Sequence, residues 1–245
     1  MTHPGHRLGL LFAVLGAVGF SFKAILIKLA YPYGVDAITL LALRMGLSLP
    51  FFLALGWMDQ RRRQPSPLTG RDIGMMLGLG FSGYYLSSYL DFLGLQYISA
   101  ALERLILFAY PTLVVVLSAI FLGKPLTRRG LGCIALCYAG IALAVTHDLN
   151  LAGTADNVLT GGTLVFASAV SYALYLMGNG QAVGRLGAAR VTAWASTAAC
   201  VLCLAHFAAT RPLSDLVQPA PVMLLAAAMA LFSTVLPVWM VSEAI

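Results

Sequence analysis

Residues 78–126 read GLGFSGYYLSSYLDFLGLQYISAALERLILFAYPTLVVVLSAIFLGKPL. Two apolar runs, Ile73 to Leu93 and Ile98 to Leu122, meet here across a short link. The link is too short for a domain but long enough to reverse two membrane-crossing helices, so the stretch reads as a transmembrane hairpin. Asp91, Glu103 and Arg104 lie inside it. At the bilayer centre each such charge costs roughly 2.5 to 3.5 kcal/mol on the insertion scale. Charges kept at that cost have a partner or a function.

Outward from the hairpin the chain keeps the same character. Of its 245 residues, 60% are hydrophobic and 10% charged, where a soluble domain carries about 25% charged residues. Water is therefore excluded as the solvent for most of the surface. The apolar runs have the roughly 20 residues that a helix needs to cross about 30 Å of hydrocarbon, and none alternates as a barrel strand does. The class is an all-α polytopic membrane protein. Spans are expected near 8–30, 37–57, 73–93, 98–122, 127–146, 158–180, 189–209 and 220–243, eight in all. The first is a retained span and not a secretory signal, since it is longer than a signal h-region, carries Lys23 and Lys28 and lacks a clear cleavage site.

Charge orients the bundle. The N-terminal tail and the loops after spans two, four and six hold Arg7, Arg61, Arg62, Arg63, Arg71, Lys124, Arg128, Arg129, Arg185 and Arg190. The opposite loops hold Arg211 with Asp36, Asp148, Asp156 and Asp215. The positive-inside rule then puts the N-terminus in the cytoplasm, with the chain as a multi-pass protein of the inner or plasma membrane. The net charge of +6 reports this topology and an affinity for anionic headgroups of the lipid bilayer, not nucleic acid as a partner.

Cys200 and Cys203 have metal or redox spacing, but without a second pair or a matching histidine they read as packing residues. The small residues Gly132, Ala135, Ala139 and Gly140 of span five read as a face for close helix packing. No HExxH, GxSxG or P-loop pattern is present, so neither an enzyme nor a bound cofactor or metal is expected.

Sliding the chain against itself by about 151 to 152 residues brings Gly16–Ser21 (GAVGFS) onto Ser168–Ala173 (SAVSYA), and Phe81-Ser82 onto Phe232-Ser233. Spans one to three then fall on six to eight. The unit has five spans, an odd number, so its second copy enters the membrane inverted. Two repeats follow: residues 8–146, and an incomplete copy over 158–245 whose counterparts of spans four and five would lie past Ile245. Two further helices are thus expected of the complete architecture, making ten. A non-transporting truncated protein or scaffold is the alternative to a working carrier.

Helical spacing selects the candidate residues of a solute pathway. Tyr84, Ser87, Ser88 and Asp91 form a polar stripe on span three; Ser99, Glu103 and Tyr110 do the same on span four. Lys23 and Arg44 lie roughly 10 to 12 Å below the outer ends of spans one and two. Glu103 and Arg104 point about 100° apart as sequence neighbours, which predicts partners on other helices and not each other. Lys23, Lys28, Arg44 and Arg104 against Asp91 and Glu103 leave +2, which favours a solute bearing a carboxylate or phosphate. Pro50, Pro111 and Pro237 remove backbone donors within spans two, four and eight and are expected to bend them.

These features together resemble the EamA-type branch of the drug/metabolite transporter superfamily. The resemblance rests on the opening GLLFAVLGAVGFSF, the arginine in LLALRMGL, the block YISAALERLILFAYPTLVVVLSAIFLG with its central proline, and RRGLGCIALCYAGIAL. It implies ten helices in two inverted repeats, a central cavity bordered by Arg44 and the residues around Pro111, alternating access and the movement of small metabolites, with a homodimer compatible. Where the family commonly has an acidic residue after the leucine-glycine ending span four, this chain has Lys124.

Overall fold

The structure is a computed structural model and describes residues 4–63, 68–123, 128–152 and 155–244. Lys124 lies outside the described residues, as do the side chains of Arg7, Arg62, Arg63, Arg128, Arg129 and Asp148. Among the described residues there is no strand. The helical segments are α1 Pro4–Ala30, α2 Ala37–Arg63, α3 over 70–94, α4 over 100–122, α5 Arg128–Ala152, α6 Ala155–Leu186, α7 Ala188–Thr210 and α8 over 220–244. Five stretches among the described residues combine the length and apolarity needed to cross a membrane. Large apolar side chains such as Ile120, Phe121, Leu136 and Leu143 stand exposed, as a lipid-facing surface requires.

The chain forms two compact units that do not follow chain order. One holds Met1–Phe81 and Gly180–Ile245; the other holds Ser82–Asn179. In the first unit α2 packs on α7 and α8, α1 on α8, and the first half of α3 on α7. Ala193, Ala195, Ala199, Cys200 and Cys203 are the buried face of α7. Lipid tails are as apolar as the helices, so association rests on close van der Waals approach, which such small residues allow. The small face foreseen on α5 behaves differently. Gly132, Ala135, Ala139 and Gly140 are all exposed, and nothing comes within 4 Å of a Cβ built at Gly132 or Gly140. Close packing here is the property of α7.

The second unit holds the rest of α3, with α4, α5 and most of α6. Its core is Ile98, Leu102, Ile106, Val158 and Val165, with Leu107 and Ile141 against it. Span four is not one continuous helix. It stops at Leu107, turns through Phe108 and Ala109, and restarts at Tyr110 with Pro111 in the new first turn. Proline has no N–H to give the carbonyl four residues back, so it fits the start of a segment and not its interior. At Pro50 the outcome differs, because α2 runs through its proline unbroken.

Two π-helical turns interrupt α3 and α8, at Gly80–Leu86 and Leu231–Val235. They begin at positions related by the same 151-residue shift that superposes Phe81-Ser82 on Phe232-Ser233. Their local chemistry is not the same. In α8 Pro237 cannot bond the carbonyl of Ser233, and the Leu236 N–H reaches back five residues to Leu231. In α3 no proline occupies the matching position; there the Ser82 carbonyl accepts from the Ser171 hydroxyl of α6 at 2.8 Å. Helices approach tightly at both turns. A Cβ at Gly83 would lie 2.3 Å from Cγ of Tyr175, and one at Gly19 of α1 would lie 2.8 Å from the carbonyl of Phe232.

Because the Tyr175 ring base is fixed close to its own backbone, Gly83→Val should lower stability by about 1 to 3 kcal/mol through overpacking. Gly74→Ala, with nothing within 4 Å of its Cβ, should leave stability unchanged or raise it by up to about 1 kcal/mol. Denaturation titrations of both variants in the same detergent check the contrast.

Candidate functional site

Seven of the nine candidate pathway residues belong to the second unit: Tyr84, Ser88 and Asp91 on α3, and Glu103, Arg104, Tyr110 and Pro111 on α4. Lys23 on α1 and Arg44 on α2 belong to the first. Burial ranks them sharply. Glu103 is fully enclosed and Asp91 is 1% exposed, whereas Pro111 is exposed. Arg44 is buried at 3%, and Lys23 is half-buried.

Local structure explains several placements. Ser99 is the N-cap of α4, its hydroxyl accepting from the Leu102 N–H at 3.1 Å. Its polarity therefore serves the helix start and not the stripe it shares with Glu103 and Tyr110. One turn on, Glu103 and Arg104 do meet each other, contrary to the expectation from their angular separation. Arg104 Nε lies 3.2 Å from Glu103 Oε2. The guanidinium sits on a stem long enough to fold back around the helix, and it keeps Arg104 partly exposed while Glu103 is enclosed. A carboxylate wholly withdrawn from water gains from a cation at this distance, and here one is supplied by its own neighbour.

The tyrosines form the most ordered part of the site. Tyr84 of α3 and Tyr175 of α6 share a hydrogen bond between hydroxyls at 3.0 Å and cross edge-to-face at 5.2 Å. Tyr175 stacks on Tyr172 at 5.6 Å, and Tyr172 meets Tyr110 of α4 edge-to-face at 5.2 Å. Four rings from three helices thus make one connected series. It lies where the helices are least regular, since Tyr84 is in the π turn of α3 and Tyr110 opens the second segment of α4. Two serines of α6 hold α3 in place: Ser171 on the Ser82 carbonyl, and Ser168 on the Ser87 carbonyl at 2.7 Å. Irregular backbone at membrane depth persists where neighbouring side chains satisfy it.

Tyr172 and Tyr175 were not anticipated from sequence. Their segment stands out in the repeat, but a tyrosine pair three residues apart on an apolar helix looks like ordinary core. The signal available was their place beside Ser168 and Ser171, polar positions on the same helix.

The first unit holds Arg44 of α2 and the cysteine pair of α7, Cys200 and Cys203, in its interior. Both cysteines are fully buried and free, with Cys200 Sγ 3.8 Å from Met45 Sδ. The ends of this unit carry ion pairs. Asp72 completes a capping box with Thr69 at the start of α3 and meets Arg185 of α6, and Asp36 meets Arg211 at 3.1 Å.

The family model described as the EamA-like transporter family matches residues 7–146. A protein of Bacillus subtilis (strain 168) described as "Uncharacterized transporter YcbK" is 31% identical over 191 residues, which are 78% of this chain and 60% of the relative. The chain thus spans about three fifths of the length of that curated relative. A solved crystal structure, described only as that of a protein, is similar with a TM-score of 0.63 over 98% of this chain and 78% of the other. At 18% identity that likeness carries the fold alone.

The Glu103–Arg104 contact predicts energetic coupling. Arg104→Met should cost about 1 to 3 kcal/mol by removing a cation from beside a buried carboxylate, and Glu103→Gln should remove most of that cost. A double-mutant cycle read by unfolding in detergent should return a coupling of at least about 1 kcal/mol; additive effects would show that the pair does not act as one.

Proposed function

We propose that this chain, which belongs to the EamA-like transporter family, works in a secondary transporter of the inner or plasma membrane, its N-terminus in the cytoplasm. The reading is a carrier that moves a small polar metabolite across the bilayer and performs no covalent chemistry on it. One observation carries it beyond family membership: Glu103 and Asp91 are withdrawn almost completely from the surface within one apolar unit, beside a connected tyrosine series. Ionisable side chains inside membrane helices typically mark solute or proton paths, because their burial has no stability advantage over apolar residues.

Alternating access between two inverted repeats is the mechanism we propose. The matched π turns of α3 and α8 and the paired close approaches of α1 to α8 and α6 to α3 support such a repeat. Replacing α1 by α6 and α8 by α3 turns the first approach into the second. The excess of cations along the apolar helices favours a solute bearing a carboxylate. Glu103 is the candidate coupling group should protons drive the exchange, and Arg104 is positioned to respond to its charge.

Reconstitution of the chain in proteoliposomes with a mixed metabolite pool, read by mass spectrometry, tests this. A defined subset of small polar solutes, carboxylates foremost, should cross faster than in empty vesicles. Glu103→Gln should flatten the dependence of that flux on pH while keeping the protein folded. Absence of solute-selective flux would reject the carrier reading, a preference for cationic solutes would reject the carboxylate, and unaltered pH dependence in the variant would remove Glu103 from coupling.

A further inference from the structure

The tyrosine series of the second unit has one closed end and one open end. At the closed end the hydroxyls of Tyr84 and Tyr175 satisfy each other at 3.0 Å, and Tyr175 is buried against Gly83. At the open end Tyr172 and Tyr110 are half-buried, and neither hydroxyl has a hydrogen-bond partner among the described residues. Neither oxygen is among the buried polar atoms of the described residues, so both can be reached by a group from outside the protein.

The rings add a second constraint. Their contacts alternate edge, stack and edge, at 5.2, 5.6 and 5.2 Å, the spacings at which one aromatic system accepts the next. The series is also held rigid. Tyr175 is fixed by Gly83 and Tyr84, Ser168 and Ser171 tie α6 to α3, and Tyr110 is set by the restart of α4 at Pro111. A preformed stack ending in two unmet hydroxyls suits a flat ring with a hydrogen-bonding substituent at its edge.

We infer that Tyr110 and Tyr172 form a binding site for solutes carrying a planar aromatic or heteroaromatic ring, the ring extending the tyrosine series and its polar substituent meeting their two hydroxyls. The inference rests on the carrier reading for its biological use, but the site stands in the second unit by itself and is read by equilibrium binding. A saturated ring of the same size gains contact area without the ring quadrupole, so it binds more weakly. The substituent's charge is left open by two phenols, which donate and accept alike.

The test uses matched pairs of probes on the full chain in nanodiscs: benzoate against cyclohexanecarboxylate, and benzylamine against cyclohexylmethylamine. Within each pair, charge is held constant while the π system is removed. Equilibrium dialysis should show at least one aromatic member binding roughly tenfold tighter than its saturated partner. Tyr172→Leu and Tyr110→Leu should collapse that ratio toward one. Tyr172→Phe, which keeps the ring and guards against misfolding of the leucine variants, should retain the ratio while weakening both members of the pair. Equal binding within every pair, no binding of any aromatic probe, or a ratio untouched by the leucine substitutions would overturn the site. Ring-selective binding without vesicle flux would reject only the carrier, and flux of non-aromatic solutes with no ring selectivity would reject only this inference.

Discussion

In hydrocarbon no water is present to take up a backbone amide or carbonyl, so every one must be satisfied by the protein itself. That constraint favours helix through the apolar segments, and it also governs the places where the helices fail to be regular. The Ser82 carbonyl, set within a π turn, is satisfied by Ser171 of another helix. Two helices are thereby locked at the point where one of them departs from α geometry. Ser168 repeats the device on the Ser87 carbonyl. A hydroxyl placed to repair the backbone of a neighbour specifies the pairing of helices more narrowly than apolar contact does, because lipid competes for apolar contact and not for that bond.

The candidate site grows out of these irregularities. The π turn presents Tyr84 toward Tyr175, and the interruption at Phe108 and Ala109 brings Tyr110 to Tyr172. Regular helices in both places would shift each ring around its axis, since one residue changes the facing direction by about 100°. Glu103 lies one turn before the interruption, in the short segment Ala100–Leu107. It is fully enclosed, with Arg104 folded back to 3.2 Å from it. The match to the EamA-like transporter family covers the α3 and α4 members of this region and not Tyr172 and Tyr175 of α6.

The two π turns separate geometry from chemistry. One sits beside Pro237 and the other has Gly80 and Gly83 with a serine supplied by α6, yet the two begin 151 residues apart, the shift found in the sequence. Different residues thus produce the same backbone form in α3 and α8.

The all-helical class and the membrane as solvent were legible in the sequence, because hydropathy and helix length act locally and are counted along the chain. The burial of Asp91 and Glu103 was legible too, since their neighbours are apolar. Partnership was not. Glu103 and Arg104 meet although helical angles separate them, Ser99 spends its polarity on a cap, the small face of α5 stays exposed, and Tyr172 and Tyr175 join a site whose other members lie far along the chain. Side-chain reach, helix interruptions and the choice of neighbouring helix decide these contacts. They are properties of the packed structure, so periodicity along one helix cannot carry them.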